Sequence, residues 1–358
     1  MTTTQTTAPD QERLMALLGK VVVDAGGTLA AGLVRTGEKL GLFRGLAEGG
    51  AQTSAELAEL TGTSERYVRE WLCALAASGY ISYDATAERF SLSPEQELAF
   101  ADSSSPVYCP GLFELVTSAL RDEPKITAAF TSGEGVGWHE HDHGLFSGTE
   151  RFFRAGYAGN LVASWIPSLT GTEQRLREGA SVADIGCGHG ASTILMAQAF
   201  PASRFVGFDY HDASIAVARE RAVEAGLADR VTFEVAPAAA YPGGGYDLVT
   251  SFDCLHDMGD PVGAARHVLG TLAPDGVWMI VEPFAGDRVE DNLNPVGRLF
   301  YSASTLICTP ASLSQEVGLA LGAQAGEARL RSVVTEGGFT RFRRATETPF
   351  NLVLEARS

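Results

Sequence analysis

The stretch Val182-Ala-Asp-Ile-Gly-Cys-Gly-His-Gly190 concentrates more chemistry than any other part of the chain. An apolar run ends in Asp184, and glycines follow at 186, 188 and 190. Alternate glycines permit positive φ and remove the side chains that would hold a bulky ligand away from the backbone. A helical pattern from Ala191 to Phe200 follows directly. The loop therefore joins a strand to a helix N-terminus, where a nucleotide sits in an open α/β sheet. Glycine alone would serve any tight strand-to-helix turn. The next unit carries the nucleotide reading: Arg204-Phe-Val-Gly-Phe-Asp209 is a second strand pattern ending in a carboxylate, 25 residues beyond Asp184. An acid at that point is placed to accept both hydroxyls of a ribose.

The elements that must position these groups follow in order. Ser214 to Gly226 reads as a helix capped by Asp212 or Ser214. Val231–Ala236, Tyr246–Asp253 and Gly276–Pro283 read as third, fourth and fifth strands, with a helix over Pro261–Leu272. Gly338–Arg344 and Phe350–Glu355 are two closing strand-like runs joined through Thr348-Pro349. A pyrophosphate loop spaces its glycines G-x-G-x-x-G, whereas these are even and follow an acid. With that D-x-G-x-G-x-G motif, residues 176–358 resemble the class I S-adenosylmethionine-dependent methyltransferases.

The resemblance implies an α/β fold: a Rossmann-like, parallel sheet with an antiparallel last strand. It implies S-adenosylmethionine as cofactor, held by Asp184, Gly186, Cys187, Gly188, Gly190, Asp209 and Tyr210. Phe252 and Asp253, at the fourth strand end, and Tyr157 join that set. Asp184 would repel a phosphate but attract a methionine ammonium, directly or through water. Cys187 reads as a small residue in a tight loop. The family often carries an acid for the adenine amino group after the third strand. Here Ala236-Pro237-Ala238 leaves adenine to backbone groups and apolar contact.

Phe252-Asp-Cys-Leu-His-Asp-Met-Gly-Asp260 begins at the tip of the fourth strand. It is similar to the L-H-D-x-x-D run of small-molecule O-methyltransferases, which implies His256, beside Asp257, as general base. An ordinary pKa near 6.5 suits an imidazole to accept a phenol or enol proton. Glu282, ending the fifth strand, is placed to orient that ring or hold its proton. The alternative is that His256 caps a turn or touches cofactor, and in-line alignment at about 3–3.5 Å supplies most of the rate.

Upstream, Gln52–Leu60 and Glu65–Ser78 are helix patterns around a turn, followed by alternating runs at Tyr80–Tyr83 and Arg89–Ser93. This is a winged-helix pattern. Residues 29–100 hold six basic and ten acidic side chains in a chain of net charge −17. Duplex DNA needs several phosphates neutralised, so DNA is not expected as a partner. The resembled O-methyltransferases use such a domain for dimerisation and substrate enclosure, and its Leu-, Val-, Ala- and Gly-rich first helices suit a subunit interface. A homodimer through this domain is expected. The connector, about 103–175, carries Phe146, Phe152, Phe153, Tyr157 and Trp165. Phe153, with Trp138 and His139, is expected in the acceptor pocket. His139, His141 and His143 alternate and would share one face if extended, yet glycines surround them, so a solvated loop is equally natural and no metal is assigned.

With 45% apolar and 20% charged residues among 358, the chain has the composition of a soluble enzyme of more than one domain. Val21–Val34 reads as too short and interrupted to span a bilayer, so no membrane partner is expected and the location is read as cytoplasmic. Five cysteines without C-x-x-C spacing read as reduced thiols. The expected layout is a 1–10 tail, an 11–102 winged-helix dimerisation domain, a 103–175 helical connector and lid, and a 176–358 catalytic domain. The expected activity is methyl transfer to oxygen of a small, largely apolar acceptor. The alternatives are carbon or nitrogen methylation by proximity, and a cofactor-binding transcriptional regulator.

Overall fold

A computed structural model describes residues 9–358. The chain forms two compact units that divide in sequence between Thr117 and Ser118. In the first, α1 (Gln11–Lys39) begins at Asp10, whose carboxylate accepts from the backbone N–H groups of Glu12 and Arg13 at 2.9 and 3.1 Å. The expected tail thus ends in a helix cap; its residues 1–8 lie outside the described residues. The reading of Val21–Val34 as too short is corrected, because the helix continues ten residues before it and five beyond. By length and composition alone α1 suffices to cross a membrane. Only its C-terminal part is buried, at Ala30, Ala31, Val34 and Gly37. Leu17, Leu18, Val21, Val22, Val23 and Leu29 are exposed.

Next come α2 (Leu42–Gly49), α3 (Ser54–Thr61), α4 (Glu65–Ala77), β1 (Ser82–Asp84), β2 (Arg89–Ser91) and α5 (Pro94–Phe100). Thr53 and Glu56 form a reciprocal capping box that starts α3. On α4, Val68, Trp71, Leu72 and Leu75 recur at helical spacing and are buried. Phe43 packs edge-on to Trp71 at 5.0 Å and stacks on Phe100 at 5.1 Å, closing this unit's core. β1 and β2 pair antiparallel as the wing. Both arginines of α4 are engaged along the helix, Arg66 with Glu70 at 2.5 Å and Arg69 with Glu65 at 2.8 Å. Helix α6 (Pro110–Ala119) straddles the boundary.

The second unit holds α7 (Glu123–Ser132), α8 (His143–Asn160) and α9 (Thr172–Glu178), then β3 (Ser181–Ile185), α10 (Ala191–Ala199), β4 (Arg204–Asp209), α11 (Asp212–Glu224) and β5 (Val231–Val235). It continues with β6 (Tyr246–Phe252), α12 (Pro261–Thr271), β7 (Leu272–Pro283), α13 (Pro295–Ala303), α14 (Thr309–Leu313), α15 (Gly326–Glu336), β8 (Arg341–Glu347) and β9 (Asn351–Arg357). The residue before α11 is His211, so neither Asp212 nor Ser214 is its N-cap; Ser214 Oγ instead meets His211 Nδ1 at 2.8 Å.

The seven strands lie in the order β5-β4-β3-β6-β7-β9-β8. The first five are parallel to their neighbours, and β9 runs antiparallel to both β7 and β8. Successive residues of each strand point to opposite faces, and both faces are covered. Val182, Leu248, Val277 and Met279 join one apolar cluster, while Ala183, Val249, Trp278 and Ile280 join the other. Strand order reverses at β3 and β6, so their C-terminal ends diverge and open a crevice.

Candidate active site

That crevice is a cavity of ≈ 750 Å³. Three glycines turn the chain at the end of β3, with φ of +67° at Gly186, +51° at Gly188 and +77° at Gly190. Their roles differ. A Cβ at Gly186 would approach Cys254 Sγ to 2.7 Å, and one at Gly190 would approach the Phe233 ring to 2.5 Å. One at Gly188 would meet nothing within 4 Å and would enter the cavity. Gly186, Cys187 and Gly188 line the wall, whereas Gly190 serves packing where α10 begins. Asp209 ends β4 on the wall, its carboxylate accepting from Gly188 N and His211 N, each at 2.9 Å. Burial pushes the Asp209 carboxyl up, against the pull of those N–H donors.

Asp184 corrects the expectation that it faces a ligand. It is fully buried and lies off the wall, accepting from Ser192 and Thr193 at 2.7 and 2.6 Å and from Thr250 at 2.9 Å. The acid pins the first turn of α10 and strand β6 to the glycine loop. Burial raises its carboxyl to about 6 despite the three hydroxyls. The signal was present in sequence as two adjacent hydroxyls eight and nine residues downstream.

Ala236, Pro237 and Ala238 line the cavity beyond β5, as do Tyr210, Phe252 and Asp253. Asp253 holds φ +51°, unusual for a side chain with a Cβ. Its N–H donates to the Val281 carbonyl at 2.7 Å, and its carboxylate accepts from Tyr157 Oη at 2.9 Å and Asn351 Nδ2 at 3.1 Å. Such a locally strained residue persists only when its surroundings hold it. Burial, reinforced by Glu282, lifts the Asp253 carboxyl to about 8. Tyr157 is a wall residue stacked on Phe153 at 6.0 Å and tilted against Phe252 at 5.1 Å. Trp138 and Phe146 pack at 5.2 Å and also line the cavity.

His256 and Glu282, expected as base and orienting acid, are brought together, but not on the cavity lining. His256 and Glu282 are buried off the wall, with Nδ1 and Oε2 2.5 Å apart. The other Glu282 oxygen accepts from Leu255 N at 2.9 Å. Nε2 faces Cys308 Sγ at 3.3 Å. Burial works against the imidazolium, but the Glu282 and Cys308 groups outweigh it and raise the His256 pKa well above its ordinary value. Cys308 ends a π-helical turn between α13 and α14, and nothing in the sequence marked it. Asp257 does line the cavity, and burial raises its carboxyl to about 7 although His256 pulls it down.

His139 is exposed and off the wall, contrary to its expected place in the pocket. His141 is buried, with Nδ1 3.0 Å from Asp122, and His143 opens α8. The three imidazoles do not converge, and no group of three or more His, Cys, Asp or Glu placed to hold a metal occurs among the described residues.

Residues 176–325 match the family described as methyltransferase domain, and residues 28–101 match the Rv2258c-like winged HTH domain. The chain therefore combines a methyltransferase domain with an N-terminal winged helix-turn-helix domain. Among curated proteins, it is 36% identical over 103 residues to the 27-O-demethylrifamycin SV methyltransferase of Amycolatopsis mediterranei, covering 28% of this chain and 38% of that one. It is 31% identical over 143 residues to the ubiquinone biosynthesis O-methyltransferase of Bordetella avium, covering 39% and 53%. The alignments thus span about half or less of those relatives' length. Two solved structures share the fold along nearly the whole chain. The mitomycin 7-O-methyltransferase MmcR has a TM-score of 0.69 at 21% identity, covering 98% of this chain and 100% of that one. Human N-acetylserotonin methyltransferase, solved with SAM, has a TM-score of 0.69 at 15% identity, covering 99% of each.

The residues present fit S-adenosylmethionine. The open side of Gly188 admits a ligand against the backbone, and Asp209 stands at the ribose position of such a fold. The Ala236–Ala238 run offers a flat apolar edge, and Tyr157 and Phe153 offer ring faces that attract a cation.

Proposed function

We propose that the protein transfers a methyl group from S-adenosylmethionine to an oxygen of a small, largely apolar acceptor. The observation that carries this reading is one cavity lining shared by Gly188, Asp209 and Ala236–Ala238 with the rings of Trp138, Phe146 and Phe153. The cofactor supplies a methyl group already activated by its sulfonium. The chain's part is to hold the nucleotide with Gly188 and Asp209, to exclude water with the aromatic wall, and to take the acceptor's proton. His256 is assigned that proton, with Glu282 fixing the proton on Nδ1 so that Nε2 is the accepting atom. In the resting arrangement Nε2 is covered by Cys308, so the acceptor hydroxyl must displace that thiol. Incubation with labelled S-adenosylmethionine and a panel of phenols should yield methyl ethers. Tight cofactor binding with no product from any phenol, enol or amine would favour the regulator instead.

The same reading includes a cytoplasmic homodimer joined through α1. Its support is the row of exposed leucines and valines at 14–29. Light scattering should give twice the chain mass, and deletion of residues 1–29 should give a monomer or aggregate. A monomer from the intact chain would remove the dimer. The engaged arginines of α4 and the acidic balance support no role in DNA binding.

A further inference from the structure

The charge on the cavity wall is one-sided. Asp209, Asp253, Asp257, Asp260 and Glu316 all line it, from the ends of β4 and β6, the turn after β6, the entry to α12 and the loop after α14, although the Asp209, Asp253 and Asp260 carboxylates also accept from protein donors. Glu150 also lines it but meets Arg154 and Arg221 at 3.3 and 3.0 Å, so its charge is balanced. No Lys or Arg occurs among the described residues of the lining. Its one imidazole, His189, is kept from charging by burial, with Arg221 acting in the same direction. Burial and crowding by neighbouring acids raise the Asp253 and Asp257 carboxyls to about 8 and 7, so the wall reaches its full negative charge only at alkaline pH, where the preference below is greatest.

Resting on the methyltransferase reading, we propose that this wall selects its occupants by charge: it prefers the cationic cofactor to its neutral product, takes uncharged or cationic acceptors, and rejects carboxylates and phosphates. Transfer breaks the sulfonium S–CH3 bond, leaving the electron pair on sulfur, and forms the O–CH3 bond as the acceptor's proton passes to the base. The occupant of the nucleotide end thereby loses one unit of positive charge. An anionic wall holds the cation and loosens the neutral thioether, so the field assists product release as well as acceptor choice. Opposed or matched unit charges at this range, partly screened, correspond to about a tenfold difference in affinity. Several wall acids are half-buried or deeper, so salt weakens the effect without abolishing it.

Calorimetry on the full chain tests both parts. S-adenosylmethionine should bind about tenfold more tightly than S-adenosylhomocysteine at low salt, with the gap shrinking at 0.5 M salt and in Glu316→Lys. With S-adenosylhomocysteine bound, 2-naphthol and 6-aminomethyl-2-naphthol should each bind at least tenfold more tightly than 6-hydroxy-2-naphthoate, three probes of one shape and different charge. S-adenosylhomocysteine binding as tightly as the cation would overturn the proposal, as would a naphthoate equal to the naphthol or a failure of all three probes. Failure of both nucleosides to bind would instead overturn the methyltransferase reading on which the proposal stands.

Discussion

The two ends of the cavity are built by different means. At the nucleotide end, backbone does the positioning: three positive-φ glycines turn the chain, and Asp209 is held by two N–H groups from the loops beside it. At the reacting end, side chains hold side chains. His256, Glu282 and Cys308 form one buried chain of contacts, and Asp253 is tied to Tyr157 and Asn351 from distant elements. Backbone cradles depend on local spacing and tolerate changes elsewhere. Buried polar networks depend on every member, because a group left without its partner loses most of what the network supplied.

The largest expected effect breaks the reacting end alone. His256→Ala should slow methyl transfer about 10²–10⁴-fold, the contribution of a positioned base, while S-adenosylmethionine affinity stays within about twofold. Single-turnover rates and calorimetry separate the two. A parallel loss of both would make His256 part of the binding framework and erase the distinction between the ends.

Two acids at adjacent strand ends sharpen the comparison from the other side. Asp184→Ala leaves three buried hydroxyls without their shared acceptor and should cost about 3 kcal/mol of stability, read from denaturant midpoints. Asp209→Ala should leave stability nearly unchanged and weaken cofactor by about 1.5–3 kcal/mol, the value of bonds to a charged group. If Asp184→Ala proves the binding mutant and Asp209→Ala the unstable one, the assignment of the two carboxylates is reversed.

The buried carboxyls also set a pH dependence. Asp184, Asp257 and Asp253 titrate near 6, 7 and 8 in the folded chain against an ordinary 3.8, so over that interval the folded state holds more protons than the unfolded one. Stability then falls as pH rises. His256 acts in the same direction, because its raised pKa gives stability that is lost as pH climbs through the folded value. The thermal midpoint should drop by about 5 °C between pH 6 and 9. Over the same range the transfer rate should rise as His256 becomes neutral. A midpoint that climbs would mean that these carboxyls are ionised throughout.

The nucleotide end was legible in sequence because its determinants are consecutive. The loop after β3, apart from Gly190, and the acid ending β4 line the wall, as does the Ala236–Ala238 run that the resemblance implied. The parallel strands and the closing antiparallel pair were legible for the same reason, each being a short periodic run between turn residues. Asp184 was misread because a motif gives the position of an acid and not the direction of its side chain; three hydroxyls from two elements turned it inward. The Glu282 partner of His256, 26 residues on, was read from the strand it ends, whereas Cys308, 52 residues on, carries no local signal and was missed. The reach of α1 escaped detection because glycines at 26, 27 and 32 read as interruptions, while the helix runs through them without close contacts.

The smallest expected effect concerns that unforeseen thiol. Cys308→Ala removes the group facing Nε2 and one of the influences that raise the His256 pKa, leaving the Glu282 contact intact. Stability should change by less than about 1.5 kcal/mol, the range for one hydrogen bond at a partly buried site. The His256 proton should leave at lower pH than in the parent, observable in its ring resonances. The pH at which transfer reaches half its maximum should move down with it, since the base is then neutral earlier and no thiol must be displaced. Cys308→Ser, which keeps a hydroxyl near Nε2 but not the thiol's acidity, should lie between the two. If neither the ring titration nor the rate profile moves, the imidazole is governed by Glu282 alone, and the reacting end reduces to a pair held as simply as Asp209 at the other end.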